Sequence, residues 1–333
     1  MRKTAVIVPE PGVAGAAPLP LLGVSDAAVS ARRALGLAAG LATPVIVLAE
    51  RGCRPVTIAE WLHARTRAGS PLVTVDCVTA GPADIESQLF GTPSKRTPAR
   101  DLESIGPDAA ILTAGSGTLF LEDIDELPAS AQRRLARILR DGEVRLAARQ
   151  PVVSLLFRLV ASTTRDLDTE VREGRFRQDL LRRFTTCRIV LPPLRQRAGD
   201  LAAIIERLVV DVGGAPRRFT QPAVTVLAAL PWTGNLDELA EVLGKVLGHA
   251  GPIVTQEDVL AHVPIEGAFA RLDLTVSLRE ARRRFERDYI AAVLEHHQWR
   301  MSEAARTLGI ERANLYRKTR QLGIARIPRA EVS

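Results

Sequence analysis

Short, mostly apolar runs separated by helical stretches fill the first 190 residues, and this alternation leaves few folds open. Val45–Leu48, Leu72–Val75, Thr118–Leu121 and Arg158–Ala161 read as strands without an alternating polar face. Strands of that kind are buried on both sides, as in a parallel sheet covered by helices. Between them, helices are expected from Asp26 towards Leu41, over Ile58–Arg67, over Ala83–Leu89 and over Ala129–Arg140. Ser25 can cap the first of these, and Thr43-Pro44 ends it. The expected fold is α/β, a mostly parallel sheet sandwiched by helices. Residues 1–20, rich in Pro, Gly and Ala, read as a short strand and a loose lead-in, too short for a sensory domain. After Pro192-Pro193 the pattern becomes helical, over Leu201–Val212, Pro222–Leu230, Leu236–His249 and Gln256–His262. Gly267–Thr275 reads as a linker, and Leu278–His296 as a long helix leading into the tail.

That tail, Met301–Leu322, has the pattern of a helix-turn-helix. Ser302 can cap a first helix whose apolar stripe is Ala304, Ala305 and Leu308. Gly309 can close it in a left-handed conformation. A second helix is expected from about Glu311, with Leu315 and Leu322 inward. Its other face carries Arg312, Asn314, Tyr316, Arg317, Lys318 and Arg320. A surface helical hairpin with a basic solvated face would share that charge pattern, but not the small residue, glycine and aliphatic residue at Ala305, Gly309 and Leu315. Of the 45 basic and 38 acidic residues, 13 and 7 fall in Val276–Ser333, an excess of six there against one elsewhere. The positive field therefore belongs to the tail and favours double-stranded DNA as its partner.

Cys53, Cys77 and Cys187 are dispersed, odd in number and without metal-ligand spacing, as expected of reduced cytosolic thiols. Pro9 and Pro11 end the apolar Ala5–Val8 run too early for a signal peptide, and no segment approaches a membrane span. A cytoplasmic protein that engages no membrane is expected. His63, His249, His262, His296 and His297 form no ligand pattern, and no metal site is assigned.

Several ordered motifs resemble the sigma-54-dependent transcriptional activators, the bacterial enhancer-binding proteins with an AAA+ domain and a Fis-type helix-turn-helix. Ser116–Ile124 is similar to their Walker B strand, and Ala161–Leu167 to their sensor I segment. Gly174–Phe184 is similar to their arginine-finger segment; Leu191–Arg197 and Trp232–Leu236 follow in the family's order. The resemblance implies an AAA+-like P-loop-type subdomain at residues 21–190 and a helical lid at 191–266. A linker at 267–275 and an all-α Fis-type DNA-binding domain at 276–333 would follow. It implies ATP and Mg²⁺ as cofactors, with Glu122, Asp123, Thr164, Arg177 and Arg183 as the catalytic equivalents. It also implies RNA polymerase or its sigma factor as a partner, and a homo-oligomer, dimeric through the tail and able to form a larger ring. On the tail, Arg312 matches the position that reaches base edges, with Asn314, Arg317 and Lys318 for phosphates and Tyr316 beside them.

The departures from the family are concentrated at the nucleotide site. The family's Gly-Glu-Ser-Gly-Thr-Gly-Lys-Glu loop is here Ala49-Glu50-Arg51-Gly52-Cys53-Arg54-Pro55-Val56, and only Glu50 and Gly52 remain of the nucleotide-binding set. Pro55, at the lysine position, offers neither ammonium nor amide. Arg54 replaces a glycine, and its Cβ disfavours positive φ. The Walker B pair is Glu122-Asp123, the reverse of the family's order. Asp237 stands where a sensor II arginine is expected, placing negative charge towards phosphates. Thr92–Arg100 lacks the aromatic and glycine positions of the loop that grips sigma-54.

Three readings follow. The first is a sequence-specific DNA-binding regulator that has kept the fold and lost ATPase and sigma-54 remodelling. The second is a working activator ATPase with an atypical loop. The third is a non-catalytic subunit or antagonist that lends Arg177 and Arg183 to an active relative.

Overall fold

The computed structural model describes residues 5–7, 18–79, 81–91, 102–146, 151–212, 217–263, 287, 290, 294, 299–308, 311–322 and 324 of the 333. The chain divides into two compact units, Met1–Val263 and Pro264–Ser333.

The first unit is built on a six-stranded sheet. In chain order the strands are β1 (Ala5–Ile7), β2 (Val45–Leu48), β3 (Leu72–Asp76), β5 (Thr118–Glu122), β8 (Arg158–Thr163) and β9 (Arg188–Val190). Their spatial order is β1-β3-β5-β8-β2-β9, with β1 antiparallel to β3 and every other pair parallel. Successive side chains go to opposite cores. Leu119, Leu121, Leu159 and Ala161 face one, packed by α3 (Pro82–Phe90), α4 (Ala110–Ala114) and α5 (Ala129–Asp141). Phe120, Val160, Val45 and Val47 face the other, beneath α1 (Asp26–Ala39) and α2 (Val56–Thr66). Burial on both faces is why these strands lack alternation in the sequence.

A second sheet of three short strands, β4 (Ser104–Ile105), β6 (Glu143–Leu146) and β7 (Val152–Ser154), was not legible in the sequence. The same holds for α4, α6 (Leu167–Arg172) and α7 (Gln178–Leu181), each too short to show a helical period. The expected helices after Pro193 are α8 (Leu201–Asp211), α9 (Gln221–Ala229), α10 (Asn235–His249) and α11 (Gln256–Leu260). They enclose a core of their own around Ile204, Leu208, Leu227, Trp232, Leu239 and Leu243.

A buried ion pair ties this helical lid to the chain entering α1. The Arg197 Nε lies 3.2 Å from Asp200, and both side chains are almost wholly enclosed. Arg197 also donates to the Pro20 and Leu22 carbonyls. Asp200 accepts from the Val24 and Ser25 amides at 2.7 and 2.9 Å and from the Ser25 hydroxyl at 2.5 Å. Burial opposes its ionisation, but these donors hold the Asp200 carboxyl below its ordinary range. Gly23 follows the same carboxylate so closely that a Cβ would lie 2.1 Å from it, at φ 107°.

The second unit contains a helix pair, Met301–Thr307 and Arg312–Leu322. Ala304, Ala305 and Leu315 are buried against Ile290 and Leu294, with Leu308 and Leu322 partly buried beside them. The cap differs from expectation: Arg300 is the N-cap, without a side-chain bond, and Ser302 lies inside the first turn. Trp299 contributes its ring to this core, and its amide donates to the Leu294 carbonyl at 2.7 Å. Gly309, the 267–275 linker and most of Leu278–His296 lie outside the described residues. Among the described residues, no helix is long and apolar enough to cross a membrane.

Asp200→Ala is expected to lower stability by about 3–5 kcal/mol, because it strands a buried guanidinium and two amides. Urea unfolding followed by circular dichroism measures it; a loss below about 1 kcal/mol would contradict the clamp.

Candidate functional site

The C-terminal ends of the parallel strands place one loop and several charged groups together, where ligands of open α/β sheets bind. The loop runs from Ala49, after β2, to Pro55, which is the N-cap of α2. β8 lies beside β2 and ends at Thr163, whose carbonyl accepts the Ala49 amide at 3.0 Å; Thr164 follows, half-buried. β5 lies beyond β8 and ends at Glu122.

Four contacts hold the loop against the lid. Glu50 receives both terminal nitrogens of Arg195 at 2.5 Å. The Arg51 carbonyl accepts Asn235 Nδ2 at 2.9 Å, while Asn235 Oδ1 accepts the Leu194 amide at 3.0 Å. The Gly52 carbonyl accepts the Asp237 amide at 3.2 Å. Arg54 Nε donates to Asp237 Oδ1 at 2.6 Å. Contact is close enough that a Cβ on Gly52 would lie 2.0 Å from the Gly234 carbonyl oxygen.

Arg54 departs from expectation, since it adopts φ 56° despite its Cβ. That conformation costs on the order of 1–3 kcal/mol, which the bonds from Asn235 and the Asp237 amide to the loop offset together with the ion pair. Asp237 also differs from its sequence reading. It faces a cation of its own chain, so the two departures form a matched pair. These residues do not compose a phosphate cradle: the lysine is missing, Pro55 has no amide, and lid backbone covers Gly52.

Carboxylates gather beside the loop. Glu122 is pushed up to about 7, chiefly by burial and then by Asp123, Asp76 and Asp237. Asp123 is also raised, by burial first and Asp125 second. Its φ of 52° turns its amide to the Ser162 hydroxyl at 3.1 Å. Among the described residues, no three of His, Cys, Asp and Glu have metal-binding geometry.

Arg177 and Arg183 lie elsewhere on the unit, near α5. Arg177 is held bidentate by Asp179 at 3.0 and 2.7 Å, and its amide donates to Gln132 at 2.9 Å. Neither arginine bonds to the loop or to Glu122 among the described residues. On the tail, Arg312, Tyr316 and Arg317 are exposed, and Asn314 and Lys318 are half-buried. The Arg312 guanidinium lies 5.7 Å from the Tyr316 ring centre, and Arg317 donates to Asn314 at 2.5 Å. Sequence reasoning missed Asn235 and Arg195 as lid-to-loop links. The only available signal was their place inside recognised motifs.

A parallel sheet with this strand order, a loop before α2 and a helical lid define an AAA+-type α/β protein. Residues 21–190 match the Sigma-54 interaction domain, and 281–322 match the Fis family of bacterial regulatory proteins. The chain belongs to the sigma-54-dependent regulator family. It is 32% identical over 304 residues to the regulatory protein LuxO of Vibrio cholerae, covering 84% of this chain and 57% of LuxO. It is 31% identical to the regulatory protein AtoC of Escherichia coli, covering 84% of this chain and 62% of AtoC. The chain thus spans about three fifths of the length of these relatives. A structure of NtrX from Brucella abortus in complex with ADP matches with a TM-score of 0.71 at 27% identity, covering 91% of this chain and 70% of NtrX.

The raised Glu122 fixes the sign of a pH effect. The fold holds this proton more tightly than the unfolded chain does. Stability therefore falls as pH rises from the ordinary carboxylate range to about 7. Glu122→Gln is expected to flatten that fall and to gain on the order of 2 kcal/mol at pH 8. Thermal melts across this range check it; an unchanged slope would contradict the burial of Glu122.

Proposed function

We propose that this protein is a sequence-specific DNA-binding transcription regulator in which ATP hydrolysis and sigma-54 remodelling have been lost. The observation that carries the reading is the Arg54–Asp237 ion pair, which joins the loop to the lid across the position that family members use for nucleotide. Hydrolysis needs phosphates cradled, metal placed and positive charge supplied together. Glu122 and Asp123 remain candidates for the metal and Arg177 and Arg183 for the charge, with Thr164 at the sensor position. Loss of the cradle compounds with the other losses and leaves no modestly slower enzyme. The Thr92–Arg100 segment lies outside the described residues, so the lost sigma-54 grip rests on its sequence alone.

Purified protein is expected to show no ATP turnover above a Glu122→Ala control, with or without DNA. Steady turnover that disappears in Arg177→Ala would overturn the reading and restore a working activator.

DNA is bound by a dimeric tail that reads two half-sites one helical turn apart, about 34 Å. Arg312 donates to guanine edges, Asn314, Arg317 and Lys318 hold phosphates, and the exposed Tyr316 flanks Arg312. Arg312→Ala is expected to weaken the specific complex by roughly 1–3 kcal/mol and to relax sequence preference. Competition binding against random DNA measures this; full discrimination by the variant would remove Arg312 from base readout.

A further inference from the structure

The end of the lid brings together two histidines whose spacing in the sequence shows no ligand pattern. α10 buries Leu239, Leu243 and Val246, and its exposed final residue is His249. The chain then reverses. Ile253–Val254 (β11) pairs in parallel with Arg218–Phe219 (β10), and the Arg217 guanidinium donates to the Ala250 and Gly251 carbonyls. Thr255 starts α11 with a capping box to Asp258, and Val254 and Val259 are buried in the lid core. The half-buried His262 closes this segment, its amide donating to the Val259 carbonyl at 3.1 Å. That path sets the His262 ring against the His249 ring, with centres 4.7 Å apart and planes inclined by 27°.

Each ring is fixed on its own segment of chain. His249 Nδ1 lies 2.9 Å from the Lys245 carbonyl oxygen, and His262 Nδ1 lies 2.9 Å from the Asp258 carbonyl oxygen. A carbonyl oxygen only accepts, so both Nδ1 atoms carry a proton, and in the neutral rings both Nε2 atoms keep a lone pair. Imidazoles that ligate metals are held in this tautomer by the same kind of bond. Among the described residues, neither Nε2 has a hydrogen-bond partner. The separation fits as well: imidazoles cis on one ion, with metal–nitrogen bonds of about 2.1 Å, have ring centres about 4.5–5.5 Å apart.

The charged neighbours are engaged elsewhere. Asp258 Oδ2 accepts the Thr255 amide and hydroxyl at 2.8 and 2.9 Å, and Lys245 pairs with Glu241 at 2.7 Å. The donor set is therefore two imidazole nitrogens, and no third His, Cys, Asp or Glu joins them among the described residues. Nitrogen donors of this kind select Ni²⁺, Cu²⁺ or Zn²⁺ over Mg²⁺ and Ca²⁺, which take oxygen ligands.

We propose that His249 and His262 bind one divalent transition-metal ion through their Nε2 atoms, with solvent in its remaining positions. The ion staples the end of α10 to the chain leaving α11, at the residue before Val263, where the first unit ends. The site uses no residue of the loop after β2 or of the tail.

Titration calorimetry and thermal melts of the full chain with Ni²⁺ and Mg²⁺ test this. His296→Gln/His297→Gln is the background throughout, because that adjacent pair could take metal by itself. Ni²⁺ is expected to bind at one ion per chain and to raise the melting temperature, and Mg²⁺ to do neither. Adding His249→Gln or His262→Gln is expected to weaken Ni²⁺ binding about tenfold or more and to cancel the melting shift. Electron paramagnetic resonance of bound Cu²⁺ is expected to show two imidazole nitrogens in the background chain. A single nitrogen, unaltered Ni²⁺ affinity in either histidine variant, or no Ni²⁺ binding would each overturn the proposal. So would one ion per two chains, because the ion would then join two copies instead of two segments of one lid.

Discussion

The contact between the loop after β2 and the start of α10 sets the character of the first unit. Gly52 lies so close to the Gly234 carbonyl that any side chain there would collide with it. Two residues further on, Arg54 sits at a backbone angle that its Cβ disfavours, with its guanidinium on Asp237. Arg54 and Asp237 are both at least partly exposed, so the ion pair alone contributes little. Its weight comes from the bonds to the loop's carbonyls around it, the Asp237 amide to Gly52 and the Asn235 side chain to Arg51, which fix lid and loop as one surface. The glycine is retained because the lid's backbone needs that space.

Beside this closure the strand ends form a carboxylate-rich wall, in which burial chiefly, and then Asp123, Asp76 and Asp237, keep the Glu122 proton to about pH 7. The Arg197–Asp200 pair works on the other side of the lid, fixing its first helix to the chain entering α1. The lid is therefore tied to the α/β body at two separate places. The tail forms a compact unit of its own, whose two helices are locked by Leu315 against Ala304 and Ala305.

How much of this was legible in the sequence depends on how local the cause is. The buried strands and long helices announce themselves through uninterrupted apolar runs and helical spacing, and β2, β3, β5 and β8 fall where those runs lie. The three-stranded side sheet does not, because strands of two to four residues carry no period. The loop's missing lysine was plain, since a motif is a local string. Its partner was not: Arg54 and Asp237 are 183 residues apart. Read singly, one looked like crowding and the other like repulsion, and only the fold makes them complementary. Arg197 ends a recognised segment and Asp200 lies three residues beyond it, but their bonds run back some 175 residues, beyond the reach of spacing arguments.

The central claim is that the lid, in place of a nucleotide, occupies the loop after β2. Hydrogen exchange at the amides of residues 50–57, with and without millimolar ATP and magnesium, tests it most directly because exchange localises any change. The account predicts that nucleotide leaves these rates unaltered, with the Cys53 and Thr57 amides, which donate to the Glu50 and Arg54 carbonyls, slow in both states. Added protection at Arg51–Val56 on ATP addition would contradict it and return the loop to phosphate binding.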